Sequence, residues 1–408
     1  MQEQKEIYVI GAGISGLIAA YELEKAGFHP VVLEQAGSFG GRVQTIQEKG
    51  FALDVGFQVL LSAYPMARKY LDMEKLHLTY LESGALIYAD GKSYLIGDPL
   101  RNWKVLIPTL LADIGSVGDK LKILKLNLSL KRKSLEAIFK SSEKTTLEYL
   151  QDFGFSQKII HRFFKPFFSG IFLEPDLRTS SRMFEFVYKM FGEGYATIPK
   201  GGIGAISHQL RSKLVHTKFV FNCPVEEVNS DCIVLGSGEK KTYDGVVVAS
   251  SNSSLVSKQK GEGVGWKSCM CLYFEVDRTN IPDNTIALVT KTGQYINNLY
   301  AYTDGQTGKK ILSVTTLKHK GKTDEEVIGA VIGEVKNYTG ATGVEYIQHY
   351  RIDQALPDIK DLKRTSDEGA SEVLDGVFVA GDYLFNGSLN AAMESGRLAA
   401  EDLIRKSN

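Results

Sequence analysis

This 408-residue chain is poor in cysteine, in proline, in net charge of either sign and in long apolar runs. Lysine plus arginine and aspartate plus glutamate number 48 each, so the formal net charge is zero. A neutral chain has no global field to gather nucleic acid, and no nucleic-acid partner is expected. The four cysteines, Cys223, Cys232, Cys269 and Cys271, contain no C-x-x-C pair and are too few for a disulfide scaffold. Cys269 and Cys271 would share one face of a strand, where core packing is the simplest reading. A reducing compartment, and so a cytoplasmic location, is expected. Residues 1–6 are polar and acidic and do not read as a signal peptide. No run of about 18 apolar residues occurs, so no spanning helix is expected. The seven histidines show neither H-x-x-x-H nor H-E-x-x-H spacing, which argues against a metal site, and no G-x-S-x-G elbow is present.

Glycine is the surplus. The chain has 40, against only 10 prolines, where average usage would supply roughly 29. Without low-complexity runs, these glycines serve folded backbone, at turns or where a ligand approaches closely. The length implies two domains or more. Residues 80–96 alternate apolar and polar around Asp90-Gly91, which suggests a small hairpin, and Thr323 and Glu326 stand at capping-box spacing before a helix from about 324 to 338.

The first 35 residues read as a βαβ unit. Residues 7–10 are an apolar strand, Gly11-Ala12-Gly13-Ile14-Ser15-Gly16 is a turn, and 17–26 has helical spacing. Residues 31–33 form a second strand that ends at Glu34. In such a unit the first glycine permits the tight turn. The second admits a pyrophosphate, and the third lets helix and strand pack closely. The helix start offers free N–H groups and a positive dipole end, with Ser15 at its first turn. Glu34 is placed to bind both hydroxyls of an adenosine ribose, with Gln35 beside it, and would repel a 2′-phosphate.

Three further stretches carry a resemblance. Gly40-Gly41-Arg42-Val43-x-Thr45 resembles the second signature of flavoproteins with two dinucleotide-binding domains (the GR2 type). The run 377–382 ends in Gly381-Asp382 and leads to Asn386-Gly387-Ser388-Leu389-Asn390-Ala391. It resembles their closing FAD motif. Pro199-Lys200-Gly201-Gly202, Pro224-Val225 and Phe51-x-x-Asp54-x-Gly56-Phe57-Gln58 resemble intermediate pieces of the same pattern. The family is the flavin-containing amine oxidase superfamily, which includes protoporphyrinogen oxidases and phytoene desaturase-like enzymes.

The resemblance implies an α/β fold: a Rossmann-like FAD-binding domain with an interleaved α+β substrate domain. Residues 1–60, 199–262 and 355–408 would form the first, and 61–198 and 263–354 the second. It implies that Arg42 faces the phosphates and that Asp382 meets the ribityl chain and pyrophosphate. Gly56, Phe57 and Gln58 would run past the flavin ring, and the Val225 backbone would meet adenine. The helix start at Leu389, Asn390 and Ala391 would point at flavin O2, where a positive end stabilises the reduced ring. FAD would be held non-covalently, since no cysteine follows Cys271.

The implied chemistry is hydride transfer from a substrate C–H to flavin N5, with O2 or a quinone as acceptor. Amine oxidation comes first. Desaturation of a lipophilic polyene or porphyrinogen is the alternative, and a non-catalytic flavin-binding protein is the reading from another class. Amine oxidases usually carry a cage aromatic where this chain has Ser388. No catalytic residue stands out; Gln58, Lys200 and Tyr383 are the candidates. Residues 153–191 hold ten phenylalanines. These read first as a helical core and second as an apolar tunnel for an apolar or aromatic substrate. Residues 120–133 interleave leucines with six basic residues. They read first as a solvated amphipathic face and second as a peripheral membrane contact.

Overall fold

The computed structural model describes residues 5–97, 112–251, 255–256 and 264–407. The expected boundary at 262/263 and residues 1–4 lie outside these. The chain opens with β1 (Ile7–Ile10), α1 (Ile14–Lys25) and β2 (Val31–Leu33). A hairpin of β3 (Thr45–Glu48) and β4 (Phe51–Asp54) precedes α2 (Pro65–Tyr70). A second hairpin follows, β5 (Gly84–Ala89) and β6 (Lys92–Gly97), turning at Asp90-Gly91 as the sequence indicates. A helical stretch contains α3 (Val117–Arg132), α4 (Lys165–Phe172) and α5 (Ser181–Glu193). Then come β7 (Lys218–Val220), β8 (Val225–Val228), β9 (Gly245–Val248), β10 (Gly265–Val276), β11 (Thr285–Val289), β12 (Ile296–Thr303) and β13 (Lys310–Thr316). The chain closes with α6 (Asp324–Thr339), β14 (Glu345–Asp358), β15 (Glu372–Leu374), β16 (Val377–Val379) and α7 (Leu389–Ser407).

A six-stranded sheet in the order β7-β2-β1-β9-β16-β15 is parallel except for its last strand. Both its faces are covered, which explains the unbroken apolar run at 246–248. Val9, Val32, Val247 and Phe378 face α1 and α7. Ile10, Leu33, Val246, Val248, Val377 and Val379 face a small antiparallel sheet that contains β8.

The glycines set how closely these layers meet. A methyl group on Gly16 would lie 1.9 Å from the Gly11 carbonyl oxygen, so α1 presses directly on the turn that precedes it. α1 also starts at Ile14, three residues before the apolar spacing suggests, because Gly13 itself is the N-cap.

The second sheet has seven strands, β14-β10-β13-β12-β11-β5-β6. One face packs on Val327, Val331 and Val335 of α6, whose start carries the expected Thr323–Glu326 capping box. The other face turns toward residues 54–58. β14 continues through the expected 354/355 division, and 60/61 and 198/199 fall within two short paired strands, Leu60–Leu61 and Ala196–Pro199. Tyr80, expected as the start of the second hairpin, belongs instead to the strand Leu78–Tyr80, which pairs with this last strand. The phenylalanines of 153–191 build the core of the helical stretch. Phe164, Phe168, Phe172, Phe184 and Phe186 are fully buried, and the Phe168 and Phe184 rings lie 4.7 Å apart. No helix among the described residues is long and apolar enough to cross a membrane.

Candidate active site

The turn after β1 and the Gly40-Gly41 pair meet directly. Gly13 forms a bridge to Gly40, and the Gly40 amide donates to the Ala12 carbonyl at 2.9 Å. Gly40 and Gly41 both have positive φ, +114° and +59°. A side chain at Gly13, by contrast, would project into open space. No side chain caps α1 and no acidic residue lies in its first turn. A helix start with unclaimed N–H groups beside a gap is suited to an anion.

At the end of β2, Glu34 is buried, and its carboxylate accepts from the Ala12 amide at 2.6 Å and the Ala36 amide at 2.8 Å. Gln35 is exposed beside it. The 222–225 segment follows the same edge, with the Asn222 and Cys223 amides donating to the Ala36 and Glu34 carbonyls. It leads into β8, where Val225 pairs with Leu235.

The closing segment reaches this turn from the other end of the chain. A methyl group on Gly396 would lie 2.2 Å from the Ser15 carbonyl oxygen, so α7 crosses α1 in backbone contact. Ser395 Oγ accepts from the Gly381 amide at 3.0 Å and lies 3.5 Å from Ser15 Oγ. Asp382 is buried and receives Arg42 in a two-pronged ion pair, at 3.0 and 2.5 Å. Arg42 also lies over the Trp266 ring, 5.1 Å from its centre. The two residues expected at the phosphates and ribityl chain thus hold each other.

At the start of α7, Ser388 Oγ accepts from the Ala391 amide at 3.0 Å and donates to Asn386 at 2.6 Å. Asn390 accepts from the Met66 amide of α2, and Leu389 packs on the main core. Ser388 is therefore a buried helix cap.

The profile of the flavin containing amine oxidoreductase family matches residues 14–404. The chain belongs to that family. A protoporphyrinogen oxidase 2 of Arabidopsis thaliana is 28% identical over 171 residues. That match covers 41% of this chain and 32% of the relative, so the chain matches about a third of the relative's length. An oxidoreductase from Methanosarcina mazei superposes with a TM-score of 0.74 at 18% identity, over 98% of this chain and all of the other. Cyclohexylamine oxidase from Brevibacterium oxydans superposes with a TM-score of 0.72 at 16% identity, over 99% and 100%. These two likenesses are of fold.

A flavin is the cofactor by which this amine oxidoreductase family is described. The open side of Gly13, the uncapped α1 and the buried Glu34 fit a dinucleotide. The face of the seven-stranded sheet opposite α6 adjoins the same region. Gly56 has φ +92°, and a methyl group there would lie 2.7 Å from Ile352 Cδ1 of β14. The Phe57 ring lies 5.3 Å from Tyr300, which stacks on Tyr302 at 5.4 Å. Tyr273 donates to the Asp54 carbonyl at 2.8 Å, and Cys271 Sγ is 3.4 Å from Ser313 Oγ.

Burial pushes the thiols of Cys269 and Cys271 up to about 12 and about 11, and the Tyr350 hydroxyl up to about 12. This wall is aromatic and uncharged at neutral pH. Tyr350 Oη is buried with no hydrogen-bond partner among the described residues, a signal that sequence reasoning does not reach. Asp54 is the exception in charge. Burial raises its carboxyl to about 6, against hydrogen bonds from Thr45 Oγ1 at 2.6 Å and the Ile203 amide at 2.9 Å.

The three catalytic candidates fall in different settings. Gln58 Nε2 donates to the Arg42 carbonyl at 2.8 Å and the Val55 carbonyl at 3.2 Å, fastening one loop to the other. Lys200 is exposed. Tyr383 folds over Gly381, where a methyl group would lie 2.1 Å from its ring. Burial, then the Asp382 charge, raises its hydroxyl to about 12. Sequence reasoning missed Trp266, the contact of Ser395 with Gly381, and the contact between the motif residues Thr45 and Asp54. Trp266 lies outside every motif, and spacing alone does not say which motif residues touch.

Proposed function

We propose that this protein is an FAD-dependent oxidoreductase, amine oxidase-like, acting on a C–H bond of an apolar or aromatic small molecule. The observation that carries the reading is Gly13. It sits at an uncapped helix start with an open side, bridged to Gly40 and next to Ala12, whose amide donates to Glu34. Glu34 would hold the adenosine ribose, and the α1 amides the pyrophosphate. FAD, when bound, supplies a hydride acceptor at N5. The Arg42–Asp382 pair fixes the loop and the closing segment to each other. The wall of Phe57, Tyr273, Tyr300 and Tyr302 orients an apolar substrate and excludes water. The protonated thiols support non-covalent retention of the cofactor. The division into a three-part FAD domain and an interleaved substrate domain is part of the same proposal, as is O2 or a quinone as acceptor.

A second reading, desaturation of a lipophilic polyene or porphyrinogen-type substrate, is favoured by Ser388. It stands where the resemblance implies the cage aromatic, and it is a buried helix cap. Purified protein should be yellow and should release FAD on denaturation. Anaerobic reduction by amines, followed by prompt reoxidation in air with peroxide release, supports the first reading. Reduction only by lipophilic dienes or porphyrinogens, with slow reoxidation in air, supports the second. A colourless protein that binds NAD and no flavin overturns both.

A further inference from the structure

Helix α3 carries two apolar stripes on opposite sides. Leu126 and Leu130 point inward, with Ile123 packed on the same core. Asp119 is buried on that side, where it accepts from the Ser116 and Ser156 amides and hydroxyls. The core therefore takes one face of the helix completely. Val117, Leu121, Leu124 and Leu128 lie on the other face, at 75%, 64%, 46% and 52% exposure. At 100° per residue these four span an arc of about 60°. Lys131 borders the arc on one side, and Lys125 and Arg132 on the other, all three exposed. The only acid in the helix is the buried Asp119.

We propose that α3 docks in the plane of an anionic lipid surface. The four exposed apolar side chains would enter the acyl boundary, and Lys125, Lys131 and Arg132 would lie at headgroup level. A strip of leucines bordered by long cationic side chains is the pattern that lies in a membrane interface. The 16-residue helix presents about 24 Å of it. A second copy of the chain fits less well. A two-fold contact through this strip would bring the cations of both copies together with no exposed acid in the helix to answer them. The inference rests on the proposed apolar substrate only for its use, since such a substrate would be drawn from lipid. The docking itself rests on the helix.

Co-sedimentation of the full-length, flavin-loaded protein tests this, using phosphatidylcholine vesicles with and without phosphatidylglycerol. Binding is expected to the mixed vesicles and to weaken with salt. The Leu121→Glu/Leu124→Glu variant should lose it with an unchanged flavin spectrum. Each of Lys125→Gln and Lys131→Gln should weaken it by roughly five-fold. No binding to the mixed vesicles overturns the proposal, as does undiminished binding by the double Glu variant. So does a wild-type dimer that this variant turns into a monomer. Vesicle binding is read without turnover, so an error in the substrate class would leave these results intact.

Discussion

Gly13 and Gly396 flank the same helix start, yet a methyl group added at each meets opposite surroundings. At Gly13 it meets open space, and at Gly396 it meets the Ser15 carbonyl at 2.2 Å. Gly13→Ala should therefore leave thermal stability nearly unchanged and lower FAD content, read by absorbance of the purified protein. Gly396→Ala should lower the unfolding temperature first, because two backbones must separate to admit it.

Asp54 gives a pH test at the same scale. Its folded value of about 6 lies above the ordinary 3.8. The folded chain thus holds this proton more tightly, and stability is lost as pH rises from about 4 to about 6. Asp54→Asn keeps an oxygen for Thr45 and Ile203 and should flatten that part of the unfolding-temperature profile.

Among the elements, α3 and the α7 start show what pattern can and cannot convey. The helix start of α3 depends on Asp119. Burial opposes its charge, yet the hydrogen bonds from Ser156 and Ser116 outweigh burial and hold the carboxyl down at about 2. A depressed carboxyl contributes stability above about 4 that is lost as pH falls toward 2. Asp119→Ala should cost roughly 2 kcal/mol at neutral pH, measured by denaturant unfolding. The βαβ unit, the 90–91 hairpin and the α6 cap were legible because each is decided by a few adjacent residues. The short strands at 60–61 and 78–80 were not. Their pairing partner, Ala196–Pro199, lies more than a hundred residues away, and two- or three-residue strands carry no period. The Phe-rich stretch had two readings from composition alone. Burial of Phe164, Phe168, Phe172, Phe184 and Phe186 assigns those five to the core.

For the whole molecule, the glycine surplus made the convergence of three segments legible, but not the side chains that tie them. Arg42 and Asp382 are 340 residues apart, and each was read against the cofactor rather than against the other. Their contact couples the early loop to the closing segment. Asp382→Asn should weaken FAD binding by roughly ten-fold, since it leaves Arg42 without its counter-charge. Titration of apoprotein with FAD, followed by flavin fluorescence, reads this directly.

The strand order β1-β9-β16 also dictates a timetable. The Val377–Val379 strand, the partner of β9, is synthesised some 370 residues after β1. At about 5–20 residues per second a ribosome needs tens of seconds to cover that interval. For about the last 130 residues of it the edge of β9 that faces β16 is bare, and Gly11–Gly16 waits for the helix that crosses it. On the proposed function, cofactor capture would come after translation of the parallel sheet, and an edge left bare that long invites pairing with another copy.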